Sequence, residues 1–149
     1  MRSIKNFKYK RILSLFLQQN GSPFFNAKGL AIGVFSGCFP FFGFQTLLGV
    51  FLAKLAKGNL FLAAIGTWIS NPFTYVPLYY FNYKVGSIFL KNSPNTTIDK
   101  NLIIADLWEK GSLFSMRLIL GSSFVGLFLA SILGLIVFLI YKSKKKGRL

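Results

Sequence analysis

The chain has 149 residues, about the length of one domain, with 53% hydrophobic residues, 18 Phe and a formal net charge of +15. It is too apolar for an ordinary soluble domain, and its uncharged runs are long enough to cross a bilayer core of about 30 Å. With no His, one Cys (Cys38) and only three carboxylates (Asp99, Asp106, Glu109), the parts of a Ser/His/Asp triad or a His/carboxylate metal site are missing, so neither an enzyme nor a cofactor is expected.

Residues 1–27 carry Arg2, Lys5, Lys8, Lys10 and Arg11. At about 100° per residue Tyr9, Ile12, Leu13, Phe16 and Leu17 share one arc of a helix and Lys8, Lys10, Arg11, Ser14 and Gln18 the other, with Phe7 and Leu15 as exceptions, which predicts an amphipathic helix on an anionic membrane surface. The apolar run Ile12–Leu17 is too short for the core of a cleaved signal peptide. A soluble amphipathic helix packed on another subunit is the alternative. Asn20-Gly21-Ser22-Pro23 is turn chemistry that ends it.

The first apolar span, uncharged from Gly29 to Ala53, opens with Gly29, Gly33 and Gly37, a small-residue face that lets another helix approach closely. It is interrupted by Pro40 and Gly43, beyond which lie Gln45 and Thr46. Proline removes a backbone donor and clashes with the preceding turn, so the helix must bend or unwind here. The second span, uncharged from Gly58 to Tyr83, is interrupted at Asn71-Pro72. Pro72 drives Asn71 out of the helical region, so one helix should stop at Ser70 and another restart near Thr74 with Pro77 in its first turn. Tyr75, Tyr79, Tyr80 and Tyr83 read as an interfacial aromatic belt or, where they face inward, a polar wall.

Residues 91–117 are polar, with a turn at Ser93–Thr97 and a short surface helix predicted over Leu102–Gly111. Leu118–Tyr141 is 24 uncharged residues, the strongest transmembrane signal, followed by the basic tail 142–149. The predicted fold class is therefore an all-α membrane protein with an N-terminal amphipathic helix, two Pro-broken hydrophobic hairpins (re-entrant or kinked) and one C-terminal transmembrane helix. Residues 28–141 form a single membrane domain. Keeping every basic cluster, both termini included, on the cytoplasmic side makes the first broken span a re-entrant hairpin and lets the second cross. Nucleic acid is not an expected partner, because the aromatics lie inside apolar spans rather than on a wet basic face.

Pro40, Gly43 and Gln45, together with Gly66, Thr67, Asn71, Pro72 and Thr74, form paired motifs in which the chain resembles the domain-of-unknown-function family 2062 over roughly residues 20–140. The resemblance implies a small bacterial integral membrane protein, in the inner membrane or its equivalent, and carries no catalytic residues with it.

The paired breaks support two readings. In the first, Pro40, Gly43, Gln45, Thr46, Thr67, Asn71, Pro72 and Thr74 line an intramembrane polar site near the bilayer midplane, with Cys38 and Trp68 close by, in a small protein that transports a solute or handles lipid. In the second, the amides only cap broken helices, and the chain is a non-transporting structural subunit or assembly factor. The expected partners are membrane lipid and further copies of the chain or another membrane subunit. Gln45 and Asn71 should face a common pocket in the first reading.

Overall fold

The computed structural model describes residues 21–41, 43–90 and 103–146, the side chains of 103–110 and 145–146 excepted. The N-terminal amphipathic segment, the turn at Ser93–Thr97 and the end of the basic tail lie outside the described residues. Within them all regular structure is helical: α1 (Pro23–Gly37), α2 (Phe44–Leu55), α3 (Leu60–Gly66) continued by a 3-10 turn at Thr67–Ile69, α4 (Tyr75–Phe89) and α5 (Ile103–Lys146).

Local chemistry sets the boundaries. Ser22 caps α1 by accepting from the Phe25 amide at 3.1 Å, and Pro23 occupies the first turn, where a missing donor costs nothing. The helix unwinds after Gly37, two residues ahead of Pro40, as the proline requires. Gly43 starts α2 at φ 81°, a backbone conformation that favours glycine. Asn59 caps α3, its Oδ1 accepting from the Phe61 and Leu62 amides at 3.0 and 3.1 Å. The second break falls where the Asn-Pro pair predicts: the chain is extended at Ser70, and α4 begins at Tyr75 with Pro77 in its first turn.

Glycine decides how the helices pack. A Cβ on Gly29 would meet the backbone of Asn59, one on Gly33 the backbone of Ala63 and one on Gly37 that of Thr67. Residue numbers rise together along both elements, so α1 and α3 run parallel with their backbones in contact. On another face of α1, Gly49 of α2 lies against Ser36 and Gly33, while the Asn59 amide donates to the Phe25 carbonyl at 3.1 Å. Late residues thus meet early ones, and α2 runs back along α1.

The long helix α5, 44 residues and about 66 Å, binds the two halves together. Its Gly126 faces Phe35 and Cys38 and its Gly134 faces Ala31, so α1 lies antiparallel to its C-terminal half. Gly121 meets the Asn82 backbone and Gly86 of α4 meets that of Arg117, so α4 lies antiparallel to the middle of the same helix. Since α1, α3 and α4 all run one way, the second broken segment is kinked and continues in its direction rather than folding back. The core joins Ala27, Leu30, Val34 and Leu62 to Ala130, Val137 and Tyr141.

One difference from the sequence reading concerns residues 103–117. A short surface helix separate from the last span was expected, yet α5 is continuous from Ile103, because nothing between Gly111 and Leu118 breaks a helix and Leu118 is buried. Gly111–Lys144 is long and apolar enough to cross a bilayer by length and composition. Outside the core many large apolar side chains remain exposed, among them Phe44, Leu47, Phe51 and Leu55 along one face of α2.

The glycine contact makes a direct test possible. Gly33→Ala should lower the thermal unfolding temperature in detergent, because the new methyl has backbone rather than a movable side chain in its way. Gly111→Ala, with open space around it, should be neutral or stabilising by up to about 1 kcal/mol, the helix-propensity difference. Equal behaviour of the two variants would refute the packing argument.

Candidate functional site

A broken helix leaves its last carbonyls without amide partners. At the first break these belong to Cys38 and Phe39, at the second to Ile69 and Ser70. Gly37 packs against Thr67, so the two sets of loose ends lie side by side. Each of the four carbonyls takes a hydrogen from a side chain. Asn82 Nδ2 donates to the Cys38 carbonyl at 2.9 Å, Tyr79 Oη to Phe39 at 3.2 Å, Thr74 Oγ1 to Ile69 at 2.7 Å and Gln45 Nε2 to Ser70 at 3.3 Å. Three of these bonds tie one segment to another.

Further bonds knit the cluster. Thr67 Oγ1 donates to the Ala64 carbonyl at 2.7 Å; its one hydrogen thus committed, it accepts from Thr46 Oγ1 at 2.9 Å. By the same reasoning Ser70 Oγ donates to Tyr79 Oη at 2.9 Å. The second hydrogen of the Asn82 amide goes to Ser122 Oγ of α5 at 3.0 Å. Asn82, Ser122, Ser36 and Cys38 are all fully buried.

The expected residues separate into two groups. Gln45, Thr46 and Thr67 reach across and join the breaks. Asn71 and Thr74 instead serve their own turn: Asn71 Oδ1 accepts from the Phe73 and Thr74 amides at 2.9 and 3.2 Å, and the Asn71 amide donates to Thr74 Oγ1 at 3.0 Å. Gln45 therefore meets Ser70, the neighbour of Asn71, and not the Asn71 side chain. Pro40 and Pro72 end helices, Pro72 at the surface, while Gly43 is exposed with nothing near its Cβ position. Trp68 is 73% exposed and turned away from the cluster.

Of the four tyrosines, Tyr79 bonds within the cluster, Tyr83 is half-buried against Arg117, and Tyr75 and Tyr80 are exposed. Asn82 and Ser122 were not anticipated. The available signal for Asn82 was a lone amide in an uncharged run, but its partners lie 44 and 40 positions away in sequence. A second buried amide pair, Asn59 Nδ2 donating to Asn26 Oδ1 at 2.7 Å, ties α1 to the start of α3 and was equally unforeseen.

Three polar atoms of the cluster are buried without a hydrogen-bond partner: Ser36 Oγ, Gln45 Oε1 and Asn82 Oδ1. Two are amide oxygens, which only accept, and the third is a hydroxyl that does either. Two of the three unpartnered atoms can therefore only accept, which suits water, a hydroxyl or amine donor, or a cation. Among the described residues no group of His, Cys, Asp and Glu has the makings of a metal site. Past the cluster, Arg117 Nη1 donates to Tyr83 Oη at 3.0 Å and Lys84 lies over the Tyr80 ring at 5.5 Å, both cations leaning on aromatic neighbours. Ser122 is about 8 Å along α5 from Arg117 and about 28 Å from Tyr141.

Fold and site together define an all-helical protein in which two proline-broken helices meet in a buried polar cluster beside one long apolar helix. A family model described as an uncharacterized protein conserved in bacteria, DUF2062, matches residues 7–149. The chain belongs to that family. Among curated proteins and among solved structures no significant match is found.

The different bonding of the two asparagines has a measurable consequence. Asn82→Leu strands the Cys38 carbonyl and Ser122 Oγ in a buried place and should cost several kcal/mol of stability, at about 1–3 kcal/mol for each group left unpaired. Asn71→Leu removes a partly exposed cap and should cost about 1 kcal/mol. Thermal unfolding in detergent ranks the two, and a larger loss for Asn71→Leu would contradict the assignment.

Proposed function

We propose that this chain is a small bacterial integral membrane protein that moves a small solute or handles lipid, with the polar cluster at the paired breaks as its site. The observation that carries this reading is the trio of unpartnered buried atoms, Ser36 Oγ, Gln45 Oε1 and Asn82 Oδ1. An unpaired polar atom in an apolar surround costs several kcal/mol, and three such atoms on the segments around the two breaks are retained more readily where water or a ligand visits. Because two of the three only accept, the favoured visitor brings hydrogen-bond donors or positive charge.

The membrane setting is supported by the long apolar helix and by the exposed apolar side chains along it, Leu127, Phe128, Leu135 and Leu139 among them. In the proposed topology α1 and α2, about 22 and 18 Å long, are each too short to cross and form a re-entrant hairpin. The broken pair α3 and α4 crosses, and α5 returns. This arrangement gathers Lys28, Lys54, Lys57 and Lys142 at one end of the molecule, since Gly58 lies against Gly29 and Tyr141 packs with Ala27. The positive-inside rule makes that end, and both termini, cytoplasmic in the bacterial inner membrane.

The structural-subunit reading is favoured by a different observation: Asn71, Thr74 and Thr67 are spent on intrachain bonds, as capping requires. In that reading the glycine faces and exposed α2 stripe serve further copies or another subunit.

Two experiments test the proposal. A compartment reporter fused after Lys57 should report the cytoplasm, and Pro40→Ala, by favouring a continuous helix, should shift it outward; a wild-type fusion that reports the outside defeats the topology. For the site, Ser36→Cys and Gln45→Cys in a Cys38→Ala background should react with a small cationic thiol reagent in liposomes faster than the exposed apolar position Phe128→Cys. If both react no faster than the lipid-facing control, the cluster is dry and the structural-subunit reading stands instead.

A further inference from the structure

On the side of α1 away from α3, a groove runs along the line where α1 meets α5. Its floor is made of small residues, Ala27, Ala31, Ala130, Ser131 and Gly134, and its walls at one end are Phe24 and Phe138. This part has a volume of about 480 Å³. Beyond Ala31, Ala130 and Ser131, which both parts share, it continues into a wider stretch of about 680 Å³ between Phe35, Leu127 and the α2 residues Leu52 and Leu55. The whole is long, open and almost wholly apolar, and both volumes fall in the range of ligand pockets.

What distinguishes this groove from an ordinary lipid-facing surface is the charge at its mouth. Lys28 lies on its rim with Nζ 5.2 Å from the centre of the Phe24 ring, and Lys142 Nζ lies 5.8 Å from the centre of the Phe138 ring. Each ammonium therefore leans over one of the two aromatic walls of the same groove, from opposite helices. The chain has three carboxylate side chains to set against them. Asp106 and Glu109 lie on the first two turns of α5, so Glu109 is about 38 Å along the helix from Gly134, and Asp99 is outside the described residues. Neither α5 carboxylate can reach the groove mouth, so among the described residues no acid lies within reach of the two ammonium groups, and an anionic group from another molecule matches them.

We propose that this groove seats one anionic phospholipid, its acyl chains on the small-residue floor and its phosphate held by Lys28 and Lys142. A zwitterionic lipid would fill the apolar floor equally but would bring a positive group to a mouth that already holds two. The proposal rests on the membrane reading above and is independent of the polar cluster.

The test uses the full chain reconstituted in vesicles of equal phosphatidylglycerol and phosphatidylcholine, transferred to mild detergent, with retained lipid counted by native mass spectrometry. Phosphatidylglycerol should be retained over phosphatidylcholine. Lys28→Gln and Lys142→Gln should each weaken its retention roughly fivefold, as expected for one cation near a membrane surface. Ser131→Phe, which fills the floor without touching charge, should also reduce it, whereas Lys84→Gln, away from the groove mouth, should leave it unchanged. Equal retention of the two lipids, a double lysine variant that keeps phosphatidylglycerol as well as wild type does, or an equal loss in Lys84→Gln would overturn the proposal while leaving the membrane reading intact. A wild-type chain that does not float with the vesicles would overturn both.

Discussion

The fold depends on one backbone contact, that of the glycine face of α1 with α3. Gly29, Gly33 and Gly37 meet Asn59, Ala63 and Thr67, each thirty positions further along the chain. Because the steps match at every fourth residue, the two elements are locked in register as well as in direction. Parallel packing of two consecutive broken segments requires the chain to return before starting again, and α2 is that return. The register brings the end of α1 level with the end of α3, so the two proline breaks become neighbours. Without the glycines the axes would separate and the Gln45–Ser70 and Thr46–Thr67 bonds would be out of reach.

The long helix then fixes the two levels of the molecule against one another. Gly126 and Gly134 admit α1, Gly121 admits α4, and Ser122 lies between these contacts with its hydroxyl on Asn82. Asn82 in turn holds the Cys38 carbonyl, so a single amide connects α4, α5 and the first break. Such a buried polar bond adds little net stability, yet it discriminates strongly against slipped arrangements, because any slip strands several groups at once. Glycine supplies proximity and the amide supplies register.

What could be read from the sequence follows the same division. The breaks at Pro40 and Pro72, the restart near Thr74 and the glycine face of α1 were legible, because proline and glycine act on the backbone locally and leave their signature at the position concerned. That Gln45, Thr46 and Thr67 belong to the breaks was legible for a related reason, since each lies within a turn or two of one. The bonds of Asn82, Ser122 and Asn26 were not, because an isolated polar residue in an apolar helix has no period and its partner is set by tertiary register. Asn71 was placed in the common pocket although the Asn-Pro step already makes it a turn former, and the local hydrogen bond prevailed over the distant one. The polar stretch before Leu118 resembled a boundary only because polarity was read as a break; without Pro or a turn, an α-helix simply continues.

The acceptor excess of the cluster is itself a product of the prolines. Each break loses a backbone donor at Pro40 or Pro72 and releases carbonyls at the helix end before it, so a proline-broken helix pair starts with more acceptors than donors. Asn82, Tyr79, Thr74 and Gln45 supply one hydrogen to each of the carbonyls of Cys38, Phe39, Ile69 and Ser70. An amide, however, brings an oxygen with every nitrogen. Using Asn82 and Gln45 as donors satisfies the backbone and moves the deficit outward, onto Asn82 Oδ1 and Gln45 Oε1. A lysine or arginine would have ended the deficit, at the cost of a buried charge. Two amides instead keep the region neutral, and the deficit rests on two side-chain oxygens rather than on the backbone of the broken helices.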